Sequence, residues 1–206
     1  ANLGPNWFAS MMGTGIVAIA AVTLPVQIPG LRVFATIVWL LASLMLLWLV
    51  IAWVLHWRRH PQTARRYITD PILAQFFGAP PMALMTVGLG TLLIGQELLG
   101  ETLALSIAWG LWSVGTLTGL ACAVIVPYVM FTRGEVRADG AFGGWLMPVV
   151  PPMVSATFGA ALVGYLPAGQ WQMTMVICCY AMFGISLIAS IIITTLIWNR
   201  LLHHPM

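Results

Sequence analysis

The chain has 206 residues, of which 61% are hydrophobic and only 6% charged, with a formal net charge of +3. Soluble domains carry about a quarter charged residues, so this composition excludes one. It points instead to an all-α integral membrane protein, because a helix needs about 20 mostly apolar residues to cross a hydrocarbon core.

Six such stretches follow one another, near 7–24, 31–55, 75–95, 102–130, 145–164 and 173–198. The first has no basic region before it and carries Gly13-Thr14-Gly15 in its middle. It therefore reads as a span and not as a signal peptide. The second closes on His56, Arg58 and Arg59, and the link after it adds His60, Arg65 and Arg66. The third opens with Ala79-Pro80-Pro81-Met82-Ala83, then Thr86 and Gly88. The fourth holds Gly115, Gly119 and Ala123 at four-residue spacing, a small-residue stripe that lets another helix approach closely. The fifth carries Pro148 and then Val150-Pro151-Pro152-Met153-Val154, with Ser155, Thr157 and Gly159 beyond. The sixth ends near Arg200 and His203-His204.

The third and fifth spans are thus copies at a step of 71 residues, matching at both prolines, Met82 and Met153, Thr86 and Thr157, and Gly88 and Gly159. The same step back from Met82 reaches Met11, beside Gly13 and Gly15. Such periodicity marks a duplicated unit. That unit is one hairpin, giving three repeats near 1–60, 71–131 and 142–200 in a single transmembrane domain spanning 1–206. The links between hairpin arms are short, and the odd helices carry the breaks. A proline removes a backbone donor and clashes with the preceding turn. Backbone freed in this way is tolerated in a bilayer where it faces protein or a watery cavity. The odd helices are therefore expected inside, lining a passage, and the longer Leu-, Ile- and Val-rich even helices outside. For each motif a plain packing role competes with the pore-lining one.

Arginine orients the chain. There is no lysine, and Arg58, Arg59, Arg65, Arg66, Arg133, Arg137 and Arg200 all fall in alternate links. Arg32 is the exception, and the arginine-poor links include Glu97 and Glu101. The positive-inside rule places the N-terminus and the arginine-bearing end in the cytoplasm. Trp7, Trp53, Trp57, Trp145, Trp171 and Trp198 lie near span ends, as an interfacial belt requires. The arginine links are expected to set orientation and touch lipid headgroups, without nucleic acid as a partner. Arg58, Arg59, Arg65 and Arg66 are also candidates for concentrating anions at a cytoplasmic mouth.

No Asp, Glu, Lys or Arg falls clearly at mid-membrane depth, so coupling through an intramembrane carboxylate has no visible carrier. The histidines sit at span ends, where they suit neither haem ligation nor activation of Ser155 as a nucleophile. Cys122, Cys178 and Cys179 lack the company of a zinc site and read as small apolar side chains. Neither an enzyme nor a cofactor is expected.

Gly4-Pro5-Asn6-Trp7-Phe8-Ala9-Ser10-Met11-Met12-Gly13-Thr14-Gly15 and Trp145-Leu146-Met147-Pro148-Val149-Val150-Pro151-Pro152-Met153 resemble the tellurite-resistance/dicarboxylate transporter family, which includes the plant slow anion channel. The resemblance runs through essentially the whole chain. It implies ten helices in five hairpins, a central pore ringed by odd helices, and commonly a trimer. Carried over by motif position, the pore-lining residues are Gly13 and Gly15, then Pro80, Pro81 and Thr86, then Pro151, Pro152, Ser155 and Thr157. The chain offers three hairpins, which leave such a lumen open on one side. It is then either part of a longer product or completes a pore with other copies or a second chain. The ninth helix, which bears the family's gating phenylalanine, is absent, so Phe76, Phe77, Phe142 and Phe158 take no gating role. The expected function is a channel or facilitator for small anions (dicarboxylate, chloride or sulfite) in the plasma membrane. A proton-coupled dicarboxylate carrier and a non-transporting subunit are the alternatives.

Overall fold

The structure, a computed structural model, describes residues 3–133 and 140–203. Arg137 and His204 lie outside the described residues, as does the side chain of Arg133. Among the described residues every regular element is helical.

The first hairpin is α1 (Trp7–Thr23) and α2 (Leu31–Arg59), joined through Gly30 at φ 87°, a left-handed conformation that glycine adopts without cost. A short helix, α3 (Pro61–Thr69), follows. The third span is a composite: a 3₁₀ turn over Leu73–Gly78, α4 (Ala79–Gly90), a π-helical turn over Thr91–Gly95, and α5 (Gln96–Leu99). It returns through Gly100, at φ 79°, into α6 (Glu101–Arg133). The third hairpin comprises a 3₁₀ turn over Gly143–Leu146, α7 (Pro151–Leu162), a 3₁₀ turn over Val163–Tyr165, and α8 (Gln170–His203).

Five of the six expected spans are single helical runs long and apolar enough to cross a membrane. The fifth is not one of them. Its regular part, α7, has 12 residues, about 18 Å of helix, against a core of roughly 30 Å. Pro148, Pro151 and Pro152 account for the shortening, because none of them has an N–H to carry an α-helical ladder back through 143–150. The chain still winds through 143–150 by 3₁₀-type bonds such as Met147 N–H to Gly144 carbonyl, 3.0 Å.

The expected break in the first span does not occur. α1 runs unbroken through Gly13 and Gly15, because two isolated glycines weaken a helix without removing a donor. What the repeat encodes is where helices start. Trp7, Ala79 and Pro151 open α1, α4 and α7 within four residues of Met11, Met82 and Met153. The proline pairs sit in the first turns of α4 and α7, where a missing N–H costs little.

Each odd helix packs on its own even partner, and α4 also contacts α1 and α7. The three hairpins therefore stand side by side as an arc with α4 at its centre. The third span is 72% buried over its most apolar stretch, against 22%, 17% and 17% for α2, α6 and α8. The even helices run 29 to 34 residues and expose Leu, Ile and Val outward. Apolar side chains on that surface are what a hydrocarbon solvent demands. Burial sets the third span apart from the even helices, whereas the first span, expected inside, is only 33% buried. At the arginine-poor end, Arg32 pairs with Glu97 at 2.7 Å, which neutralises the lone exception to the arginine pattern. Gln96 also donates to the Tyr165 hydroxyl at 2.8 Å there.

Candidate functional site

The two proline motifs are brought together. The bare Cα of Gly78 packs on the backbone carbonyl of Met147, so the starts of the second and third repeats touch. Behind them α6 inserts its glycines. A methyl at Gly119 would lie 2.8 Å from Pro151 Cβ and 3.6 Å from Pro81 Cβ, and one at Gly115 would strike Met85. The small-residue stripe read from the sequence is thus the wedge that holds both motifs. Pro80, Pro81, Pro148, Pro151 and Pro152 are all buried.

A proline leaves the carbonyl four residues before it without its usual donor, and at the second repeat an even helix supplies a replacement. The Phe77 carbonyl would be served by residue 81, a proline, and receives the Cys122 thiol of α6 at 3.2 Å instead. At the third repeat, Ser186 of α8 enters the ladder between Val149 and Met153. Its hydroxyl donates to the Val149 carbonyl at 2.6 Å and accepts the Met153 N–H at 3.1 Å. Ser186 is fully buried. Sequence reading missed both roles, taking Cys122 as an apolar filler. The available signal was a small donor side chain on each even helix.

The sequence-derived pore positions divide by environment. Gly15 and Thr86 share one repeat position and meet each other: a methyl on Gly15 would sit 2.7 Å from Thr86 Cγ2. The Thr86 hydroxyl donates to the Met82 carbonyl at 2.8 Å, and the side chain is buried. Ser155 is fully buried, its hydroxyl paired with Thr116 of α6, while its carbonyl accepts the Trp112 indole at 3.0 Å. Gly88 is filled by Phe158, and Gly159 by Cys179. Two positions remain open. Gly13 is exposed, with nothing within 4 Å of where a side chain would begin. Thr157 is exposed, its hydroxyl turned to the Met153 carbonyl at 3.1 Å.

Neighbours extend both. On α1, Ser10 is exposed and Thr14 half-buried, its hydroxyl donating to the Ser10 carbonyl at 2.9 Å. On α7, Ala160 is exposed, and Gly164 follows in the turn after it. Between them α4 leaves only Leu84 and Leu89 partly exposed. The accessible parts of α1 and α7 therefore include small and hydroxyl-bearing positions, and no charged residue occurs on either helix. Hydroxyls bound back to their own helix keep a lone pair for a partner.

At the other end of the chemistry, Arg58, Arg59, Arg65 and Arg66 are exposed around the α2–α3 junction. His56 is buried beneath α3, 3.3 Å from the Tyr67 hydroxyl. Arg200 donates to the Ala141 carbonyl at 3.1 Å and ties the end of α8 to the approach to α7. Trp7, Trp171 and Trp198 are well exposed, whereas Trp53 turns inward against Phe8, Trp57 and Phe77 with ring centres 5.6 to 6.2 Å apart. Among the described residues no three of His, Cys, Asp or Glu converge as metal ligands.

The sequence matches the family model described as "voltage-dependent anion channel" over residues 2–206. It is similar to the sulfite efflux pump SSU1 of Arthroderma otae, at 27% identity over 205 residues, covering all of this chain and 54% of that protein. The same pump of Trichophyton rubrum matches at 27% with the same coverage. The uncharacterized transporter MJ0762 of Methanocaldococcus jannaschii is 25% identical over 207 residues, covering 100% of this chain and 58% of its own length. The chain thus spans little more than half the length of these relatives. It belongs to the voltage-dependent anion channel family.

Proposed function

We propose that this member of the voltage-dependent anion channel family supplies part of the wall of a passage for small anions, acting in transport and not in catalysis. The observation that carries the proposal is the contrast along the odd helices. The Phe77 carbonyl orphaned by Pro81 takes the Cys122 thiol from behind and Ser186 braces Val149 and Met153, while the accessible positions Gly13 and Thr157 stay small and uncharged. A small, uncharged lining whose threonine protons are committed to their own helices offers an anion no strong site, which suits conduction, where binding must be loose enough for the ion to leave.

The arc needs a complement. Three hairpins leave α1 and α7 at its two edges, and the relatives are nearly twice as long. Further hairpins or other copies of the chain would close the ring, with a trimer of pores as the family resemblance implies. Sulfite, named for the fungal relatives, is the first cargo to try, followed by chloride and C4-dicarboxylates. The N-terminus and the arginine-bearing end face the cytoplasm of a plasma membrane, where Arg58, Arg59, Arg65 and Arg66 raise the local anion concentration.

Proteoliposome flux of sulfite and chloride tests this. Gly13→Phe and Thr157→Phe fill open space without displacing a neighbour, so they should cut flux by about tenfold or more while thermal stability changes by less than about 1 kcal/mol. Unchanged flux in both variants would remove these positions from the lining.

A further inference from the structure

A cleft of about 420 Å³ opens at the arginine-bearing end, between the start of α1, helix α3 and the entry to the third span. Its volume falls in the range of roughly 300–1,000 Å³ typical of small-ligand sites. Asn6 and Trp7 line it from α1, Thr63, Arg66 and Tyr67 from α3, and Asp70 and Leu73 from the turn beyond. α3 is two-sided: Ala64 and Tyr67 are buried, Arg65 and Arg66 exposed. Tyr67 is fixed by its stacked contact with His56, with ring centres 5.8 Å apart. Arg66 has no carboxylate partner among the described residues. Asp70, one turn later, is occupied elsewhere, its Oδ1 accepting the N–H groups of Ile72 at 2.9 Å and Leu73 at 2.8 Å. The cleft therefore joins a guanidinium, neutral amide and hydroxyl groups, and an exposed indole at the end of a span.

We propose that this cleft binds the phosphate headgroup of an anionic phospholipid. A guanidinium grips two phosphate oxygens at once, and Asn6 and Thr63 are placed to add neutral hydrogen bonds. Trp7, 53% exposed, presents a flat amphipathic ring of the kind that settles at headgroup depth. Arg58, Arg59 and Arg65 lie close by in the chain and draw net-negative lipid in preference to zwitterionic lipid. Asp70 in the lining selects against a dianion, so a phosphodiester with one charge fits better than free phosphate. Arg66 also belongs to the arginines proposed to draw anions to the mouth, so retained lipid and not flux is the readout.

Native mass spectrometry of the detergent-solubilised protein tests the assignment, with phosphatidylglycerol and phosphatidylcholine of matched acyl chains, and inorganic phosphate as competitor. The expected result is one retained phosphatidylglycerol per chain, preferred by about fivefold, the factor for one arginine near an anionic surface. Arg66→Gln should abolish that preference, and Arg32→Gln, at the other end of the bundle, should leave it intact. Asn6→Leu, which obstructs the same cleft from α1, should report the same loss where Arg66→Gln cannot be purified. Equal retention of the two lipids, or a preference that survives both cleft variants, overturns the proposal. Displacement by millimolar phosphate makes the cleft a free-oxyanion site and overturns the lipid assignment.

Discussion

Replacing Ser186 by alanine should destabilise the third hairpin without touching any exposed surface. The hydroxyl makes two bonds, to the Val149 carbonyl at 2.6 Å and from the Met153 N–H at 3.1 Å. Met153 N–H retains a second acceptor, the Val150 carbonyl at 2.9 Å, so its loss is partial. The Val149 carbonyl is left without its donor in a buried position. An orphaned buried polar group costs about 1–3 kcal/mol, whereas interhelical bonds in membrane proteins average nearer 0.6. Between these, Ser186→Ala should cost about 2 kcal/mol. A chain of this size loses roughly 2–4 °C of melting temperature per kcal/mol, giving a fall of about 4–8 °C in detergent. Ser106→Ala is the control, because that hydroxyl is exposed and bonds only to its own helix at Thr102. It should move the midpoint by no more than about 2 °C. A Ser186→Ala melting temperature at or above the parent's would refute the idea that α8 braces the start of α7 through this hydroxyl.

The same reasoning covers Cys122. Cys122→Ala should cost about 1 kcal/mol by unpairing the Phe77 carbonyl, and Cys122→Ser, a stronger donor, should restore it in a thermal melt. Gly119→Leu should destabilise by at least about 1–3 kcal/mol, because even its first carbon would lie 2.8 Å from Pro151, and folded yield after solubilisation reads this out. By contrast Arg32→Gln should cost less than about 1 kcal/mol, since its pairing with Glu97 is more than half exposed on both sides.

The repeat was legible because prolines and small residues recur at a fixed step whatever surrounds them. The wedge of Gly115 and Gly119 was legible for the same reason. What those motifs do to the backbone was less so. Gly13-Thr14-Gly15 and the proline pairs look alike as interruptions, yet α1 runs through its glycines and the third span runs through Pro80 and Pro81, while only the fifth, with Pro148 added, falls short. The rotation of each helix was hidden. A span wrapped by lipid on one side and protein on the other is apolar all round, so no periodicity distinguishes buried Thr86 and Ser155 from exposed Thr157. The partners of Cys122 and Ser186 lie 45 and 37 residues away in sequence, and only the packed hairpins bring them together.

The most direct test of the proposed pathway is the effect on anion flux of a small, charged, membrane-impermeant thiol reagent. It would be applied to proteoliposomes carrying single cysteines at Gly13, Thr157, Thr86 or Ser155, in a background where Cys122 is serine and Cys178 and Cys179 are alanine. The account predicts that Gly13→Cys and Thr157→Cys are modified and lose flux, while Thr86→Cys and Ser155→Cys are protected. Equal protection at all four positions, or modification of Gly13→Cys and Thr157→Cys with flux intact, would contradict it.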